Sequence, residues 1–399
     1  MRQSGHLATA ISLLMVCAYS ISVRAGQSSQ YPSAAWAITP ENQNHWSVEK
    51  LNIAREYSHG IGSSSVIVVQ HGVIVDQWGD VDKKISSYSV RKSLISALYG
   101  IYAAEGAIDV NQTLGQLGVD DSPDPLTETE KQAKVIDLLR ARSGVYHAVD
   151  FETKQMAAAR PQRGSHLPGT FWYYNNWDFN TLGTIFEMKA RKTIGQAFYE
   201  RIAKPLEMQD FKPDDVYYFG GPISQHRAYH FEITARDLAR FGLLYLRGGR
   251  WRDKQIVPRA WVEKSSHATE MVRISGADGK ATTDLGGYEY LWWVEYGGVH
   301  FPGVDLPPGT YSARGAGGHY LVIIPARDLV VVHRFDNDPP SKDTAAVTES
   351  AYRGIDKEQF GHLLKLILDA APRETASEDV AGFCGKSARP CVVESGQHP

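Results

Sequence analysis

Cysteine is nearly absent: the 399-residue chain has three, at positions 17, 384 and 391. So few thiols cannot supply a disulfide framework for the fold or a four-thiolate metal site. No charge of one sign dominates either, since 42 basic side chains stand against 45 acidic ones for a formal net charge of −3. Without a basic excess or block, the composition argues against a protein that works mainly by binding nucleic acid or an anionic membrane. Several catalytic signatures are also missing. No G-x-S-x-G elbow occurs, which argues against an α/β-hydrolase. Neither H-E-x-x-H nor a phosphate-binding Walker loop is present, and no glycine fingerprint follows the first expected strand. What remains is an ordinary globular composition, 43% hydrophobic and 22% charged, long enough for one large domain or two medium ones.

The N-terminus reads as an export signal over residues 1–25. Arg2 gives a basic start, an apolar stretch runs from Leu7 to Val23, and Val23-Arg24-Ala25 places small residues before Gly26. No later run is long enough to span a membrane. Cys17 leaves with such a signal. In an oxidising compartment Cys384 and Cys391, seven positions apart, are expected to close a small loop in the tail. A periplasmic or secreted location follows as the expectation.

Ser47 to Tyr57 predicts a short helix capped by Ser47. Val66–Val69 and Val73–Trp78 flank Gln70-His71-Gly72, the pattern of a hairpin. From Lys92 to Glu105 apolar residues recur at helical spacing, and Val135–Arg142 and Ala235–Leu246 predict further helices. Tyr290–Glu295, Tyr320–Ile324 and Leu329–Arg334 read as strands, and Lys357–Ala371 as a closing amphipathic helix. Strands at both ends with helices between predict an α+β fold: an antiparallel sheet flanked by helices, with a helical subdomain inserted. The expected organisation is a leader with its short helix over residues 26–62, a main domain over 63–372 and a polar tail over 373–399.

The positive chemical signal is S-x-x-K, which occurs twice, at Ser47–Lys50 and Ser89–Lys92. A serine hydroxyl needs a base within hydrogen-bond reach, and a lysine one helical turn away serves if burial keeps its amine neutral. Ser47 opens an isolated surface-type helix, the usual place for a cap. Ser89 opens a strongly apolar helix, where nucleophile and cap both remain open as readings. His226 and His230, four apart, have a metal-ligand spacing but no third ligand nearby, so structural or substrate-lining roles are favoured. Tyr146-His147 and Tyr229-His230 are either pocket-lining pairs or loop aromatics.

Further along, Pro168-Gly169 leads through Tyr174-Asn175-Asn176 to Phe179 and Gly183. With Ser89-x-x-Lys92, this P-G-x-x-x-x-Y-x-N frame resembles the serine β-lactamase and penicillin-binding-protein superfamily, in its class C-like esterase and 6-aminohexanoate-dimer-hydrolase branch. Ser143-Gly144 and Thr234-Ala235-Arg236-Asp237-Leu238 stand where that family has recurrent landmarks. The resemblance spans about residues 60 to 370 and implies an acyl-enzyme mechanism. By carry-over Ser89 is the nucleophile, Lys92 takes its proton, Tyr174 relays it to the leaving group, and Asn176 bonds Lys92 or the substrate.

The third family motif, K-T-G or H-x-G, corresponds here to Ala313-Arg314-Gly315. Losing that cation weakens recognition of a substrate carboxylate, and strand alternation aims Arg314 to the opposite face. The backbone N–H groups of Ala316 and Ser89 are the candidate oxyanion hole, with Gly315 beside them. The resemblance thus implies a serine hydrolase of small-molecule esters or amides, needing no cofactor, no nucleic acid and no membrane beyond the export signal. A DD-peptidase or β-lactamase is the second enzyme reading, and a non-catalytic binding protein that kept the fold is the third.

Overall fold

A computed structural model describes residues 30–39, 45–275, 281–339, 341–350 and 353–372. The segment read as an export signal, both tail cysteines and the tail after Pro372 lie outside the described residues. Ten of the chain's strands and five of its helices form the scaffold around the site. The strands are β1 (Ser65–Gln70), β2 (Val73–Gly79), β3 (Ile85–Ser86), β4 (Val216–Phe219), β5 (Ala228–Ile233), β6 (Gly287–Glu289), β7 (Trp292–Val294), β8 (Tyr311–Gly315), β9 (His319–Ile324) and β10 (Leu329–Arg334). The helices are α1 (Val48–Gly60), α2 (Arg91–Ala104), α3 (Asn176–Ala190), α4 (Ala235–Leu246) and α5 (Lys357–Ala370).

One seven-stranded sheet runs in the order β6-β7-β8-β9-β10-β1-β2, with every neighbour antiparallel. The first and last strands of the domain pair directly, with Val66 of β1 facing His333 of β10 and β2 at the edge beyond. Side-chain alternation divides the sheet's residues between two layers. Val66, Val68, Val322 and Val331 pack with Leu51 of α1 and Phe360 and Leu364 of α5. Ile67, Val69, Leu321, Ile323 and Val332 face the inserted helices, including Leu94 and Leu98 of α2 and Phe241 of α4. Burial on both faces explains why these strands read as nearly unbroken apolar runs. The fold is the predicted α+β arrangement.

Three elements differ from expectation. Tyr290–Glu295 is not one strand: Tyr290 and Leu291 take φ of 46° and 69° and turn β6 back into β7. Such a turn ordinarily wants Asn or Gly, and here tertiary bonds hold it. Leu291 N donates to Leu139 O at 3.0 Å, and Ser93 Oγ donates to Leu291 O at 2.8 Å. The helix expected over Val135–Arg142 stops at Leu139, because Ala141 takes φ of 55° and its carbonyl receives Tyr173 N. Finally, β3, β5 and β4 form a small second sheet that the turn-rich 213–233 segment did not announce.

Candidate active site

The approach to α2 is held from three sides. Ser87 N donates to Phe231 O at 2.7 Å. The buried Arg334 guanidinium donates to Ile233 O, Ile85 O and Ser86 O, joining the small sheet to the large one. Tyr88 sits at φ 43°, an uncommon conformation for a bulky residue, and is kept there by its hydroxyl on Asn337 O (3.1 Å) and by stacking on His319. A single turn over Tyr88–Val90 then runs directly into α2. It presents the partly exposed Ser89 at the head of a buried helix.

Ser89 and Lys92 share one helix face, and Lys92 Nζ donates to Ser89 Oγ at 2.7 Å. Lys92 is 1% exposed. Its ammonium position lies 4.9 Å from the Tyr174 ring centre and 4.7 Å from that of Phe179. Burial first, and the adjacent Arg91 cation second, hold its pKa well below the usual 10.5. Burial pushes the Tyr174 phenol up to about 12, against the opposing pull of the Ser89 hydroxyl and Arg91. Tyr174 therefore keeps its proton at neutral pH, while Lys92 gives its own up more readily than a free lysine does.

Local bonds place Tyr174. Tyr173 N donates to Ala141 O at 2.9 Å and Gly169 N to Arg142 O at 2.7 Å, so the P-G frame zips along the loop after residue 139. Asn175 caps α3 by accepting from Trp177 N and donates to Val145 O at 2.6 Å. Ser143 Oγ donates to Asp178 Oδ1 at 2.5 Å, tying the Ser-Gly landmark to the same helix. Gly183 is needed because a Cβ there would stand 2.7 Å from the Tyr229 ring. The Tyr174 ring itself stacks on Trp293 of β7, with centres 5.5 Å apart.

The other copy of S-x-x-K has no part in this site. Ser47 Oγ accepts from Lys50 N as the cap of α1, and Lys50 Nζ donates to Asp369 O at the end of α5. Strand β8 closes the far side of the Ser89 turn. Ala313 and Gly315 face α2, and Gly315 lies so near that an added Cβ would be 2.7 Å from Ser87 O and 3.4 Å from Ser89 N. Ala316, at the β8–β9 turn, is exposed. Arg314 alternates to the face opposite Ala313, where it donates to Ser312 Oγ and His300 O and lies over Phe301 and over Trp293, the ring that stacks on Tyr174.

Other candidates fall elsewhere. Asn176 does not reach Lys92: as the first residue of α3 it donates to Phe151 O at 2.7 Å, and its Oδ1 is buried without a partner. Tyr146 is buried against Tyr173 and His166, and His147 bonds Asp121 at 3.1 Å, so both buttress the frame from behind. His230 is fully buried on β5 among Tyr88, Phe151 and Phe219, with Nδ1 3.2 Å from Ser86 Oγ. It floors the Ser89 turn rather than presenting a surface. His226 bonds Thr184 and Asp120 O from a bend before β5, and His230 lies on that strand, so the two share no helix face. Among the described residues no cluster of His, Cys, Asp or Glu could hold a metal. Sequence reasoning missed Trp293, Arg334 and Arg91. Only Arg91 carried a visible signal, a charged residue on an otherwise apolar helix.

The sequence profile of the Beta-lactamase family matches residues 23–350. Among solved structures, the chain resembles a Bacillus anthracis protein assigned as a 6-aminohexanoate-dimer hydrolase, with 20% identity, TM-score 0.55, and 87% of this chain and 90% of that one covered. It is similar to a β-lactamase from Mycobacterium bovis at 17% identity and TM-score 0.52, covering 79% and 97%. A family VIII carboxylesterase matches at 16% identity and TM-score 0.51, covering 80% and 98%. At these identities the structures share the fold, and their names span three different substrate classes.

Proposed function

Because the chain belongs to the Beta-lactamase family, we propose that it is an exported serine hydrolase of small esters or amides, working through a Ser89 acyl-enzyme. The observation that carries this reading is the 2.7 Å contact between Ser89 Oγ and a lysine amine buried between two aromatic rings. In the neutral amine the nitrogen lone pair takes the hydroxyl proton as Oγ attacks the carbonyl carbon. Negative charge then develops on the carbonyl oxygen. The N–H of Ser89, at the unsatisfied start of the helix, and that of Ala316 are suited to receive it. Collapse expels the alcohol or amine, protonated through Tyr174, which holds its proton at neutral pH and is recharged from Lys92. Water repeats the cycle on the ester of Ser89, releasing the acid and restoring the serine.

Substrates without an essential carboxylate fit best. Ala313 supplies no cation at the third-motif position, and Arg314 is engaged by His300 O and Ser312 Oγ. The test is hydrolysis of short-chain p-nitrophenyl esters by the mature protein beside Ser89→Ala, with intact-mass detection of a fluorophosphonate adduct. Activity and adduct both lost in a folded variant are the expected result. Turnover that survives the substitution would remove Ser89 as nucleophile, and an inert wild-type protein would favour a binding role.

A further inference from the structure

The helix that carries Lys92 begins with a second buried cation, which the mechanism above does not use. Arg91 is 0% exposed. Its Nη2 donates to Asn180 Oδ1 at 3.0 Å, and its guanidinium carbon lies 4.4 Å from the centre of the Tyr229 ring. Nε and Nη1 are buried and make no hydrogen bond of normal geometry, although the Tyr229 phenol interacts with the guanidinium. The groups facing it are Asn180 and Tyr174 from α3 and its entry loop, Tyr229 and His230 from β5, Tyr217 from β4 and Tyr288 from β6. None is a carboxylate. Arg91 also occupies the first turn of α2, the end of a helix where a cation is disfavoured. Arg334, equally buried and also without a carboxylate, places all three of its nitrogens on His319 Nδ1 and three backbone carbonyls, whereas only one Arg91 nitrogen makes such a bond. An uncompensated buried guanidinium weakens the fold, so its presence beside the base points to chemistry.

We propose that Arg91 is a positioning residue for acylation: its uncompensated charge holds the neighbouring Lys92 amine in the neutral, proton-accepting form. The proposal rests on Lys92 being the base. Two adjacent cations in a low-dielectric interior cannot both persist, and a guanidinium keeps its proton far better than an ammonium does. Lysine is the one that yields. The groups facing Lys92 are Ser89 on its own helix, Tyr174, Phe179 and, from β5, His230, and again no anion is among them. His230, driven neutral by burial and then by Arg91, adds no opposing charge.

The experiment records kcat/KM for a p-nitrophenyl ester against pH in wild type, Arg91→Met and Asn180→Asp, with folding checked by thermal unfolding. Losing the cation in Arg91→Met should move the acid limb to higher pH by about one unit or more, a roughly tenfold loss below the limb with the plateau retained. Asn180→Asp keeps Arg91 but sets a carboxylate against it, and should move the limb the same way. A limb that stays in place in folded Arg91→Met overturns the proposal, and if that variant does not fold, the Asn180→Asp limb decides it by the same criterion. An arginine that only packs would lower the plateau and leave the limb alone. Activity surviving Ser89→Ala would instead remove the acyl-enzyme reading itself, whereas activity lost there with an unmoved limb removes only the role of Arg91.

Discussion

Gly315 presses against the carbonyl of Ser87: a methyl group on it would stand 2.7 Å from that oxygen and 3.4 Å from the amide nitrogen of Ser89. Both neighbours are backbone atoms, which cannot swing aside as a side chain can. Gly315→Ala should therefore push the end of β8 away from the nucleophile turn and widen the candidate oxyanion pocket. We expect a stability loss of about 1–3 kcal/mol and a fall in kcat/KM of about tenfold or more. Thermal unfolding and ester hydrolysis measured on the same samples check the two effects. Full activity in the variant would mean that β8 does not shape the site.

Lys92 should trade stability for activity. An unfolded lysine binds its proton up to about pH 10.5, while the buried one releases it well below. The unfolded chain thus binds more protons over that interval, so the lysine costs stability at neutral pH and the cost fades as pH rises toward 10.5. Lys92→Met is expected to melt higher than wild type at pH 7, with the gap closing toward pH 10, and to lose about 10²–10⁴-fold in kcat/KM. Lys92→Arg should be equally inactive, since a guanidinium has no lone pair to offer at these pH values.

Tyr174→Phe removes one oxygen and keeps the ring that packs on Trp293 and Phe179. Its fold should survive with a change of about 1 kcal/mol or less, while kcat/KM falls about 10²-fold or more as the proton relay is lost. The loss should be smaller for esters with good leaving groups than for amides, because a phenolate departs without a proton. Equal losses across such a series would place Tyr174 outside the leaving-group step.

Asp121 holds the helical lobe together at a distance from the chemistry. Its carboxylate receives Trp177 Nε1 at 2.6 Å, Ser224 Oγ at 2.9 Å and Ser122 N at 2.8 Å, and lies 3.1 Å from His147 Nδ1. Burial opposes its charge, but the bonds from His147 and Trp177 outweigh burial and bring its pKa down to about 2. Stability from this depression is present above the ordinary value of 3.8 and is lost as pH falls toward 2. Asp121→Ala, which leaves several buried donors unpaired, should cost about 3–5 kcal/mol at pH 7. The difference from wild type should shrink when unfolding is followed from pH 5 down to pH 2.

Much of this protein could be read without coordinates. The apolar runs of β1, β9 and β10, the Gln70-His71-Gly72 turn and the amphipathic spacing of α2, α4 and α5 follow from local preference and periodicity, which neighbouring residues decide among themselves. The same holds for the Ser89–Lys92 spacing and for the frame around Tyr174, because three or four positions along a helix or a capped loop place side chains together wherever that element sits. Tertiary structure decided what depends on distant partners. It separated Ser47, a cap beneath α5, from Ser89, and it sent Asn176 to Phe151 rather than to Lys92. It bent Tyr290-Leu291 into a turn against local preference, through bonds to residues 93 and 139. It also left Arg91 without an anion. Hydrogen-bond partners and the local dielectric come from segments far apart in the chain, so the charge state of Lys92 became legible only once α2, α3 and β5 were packed together.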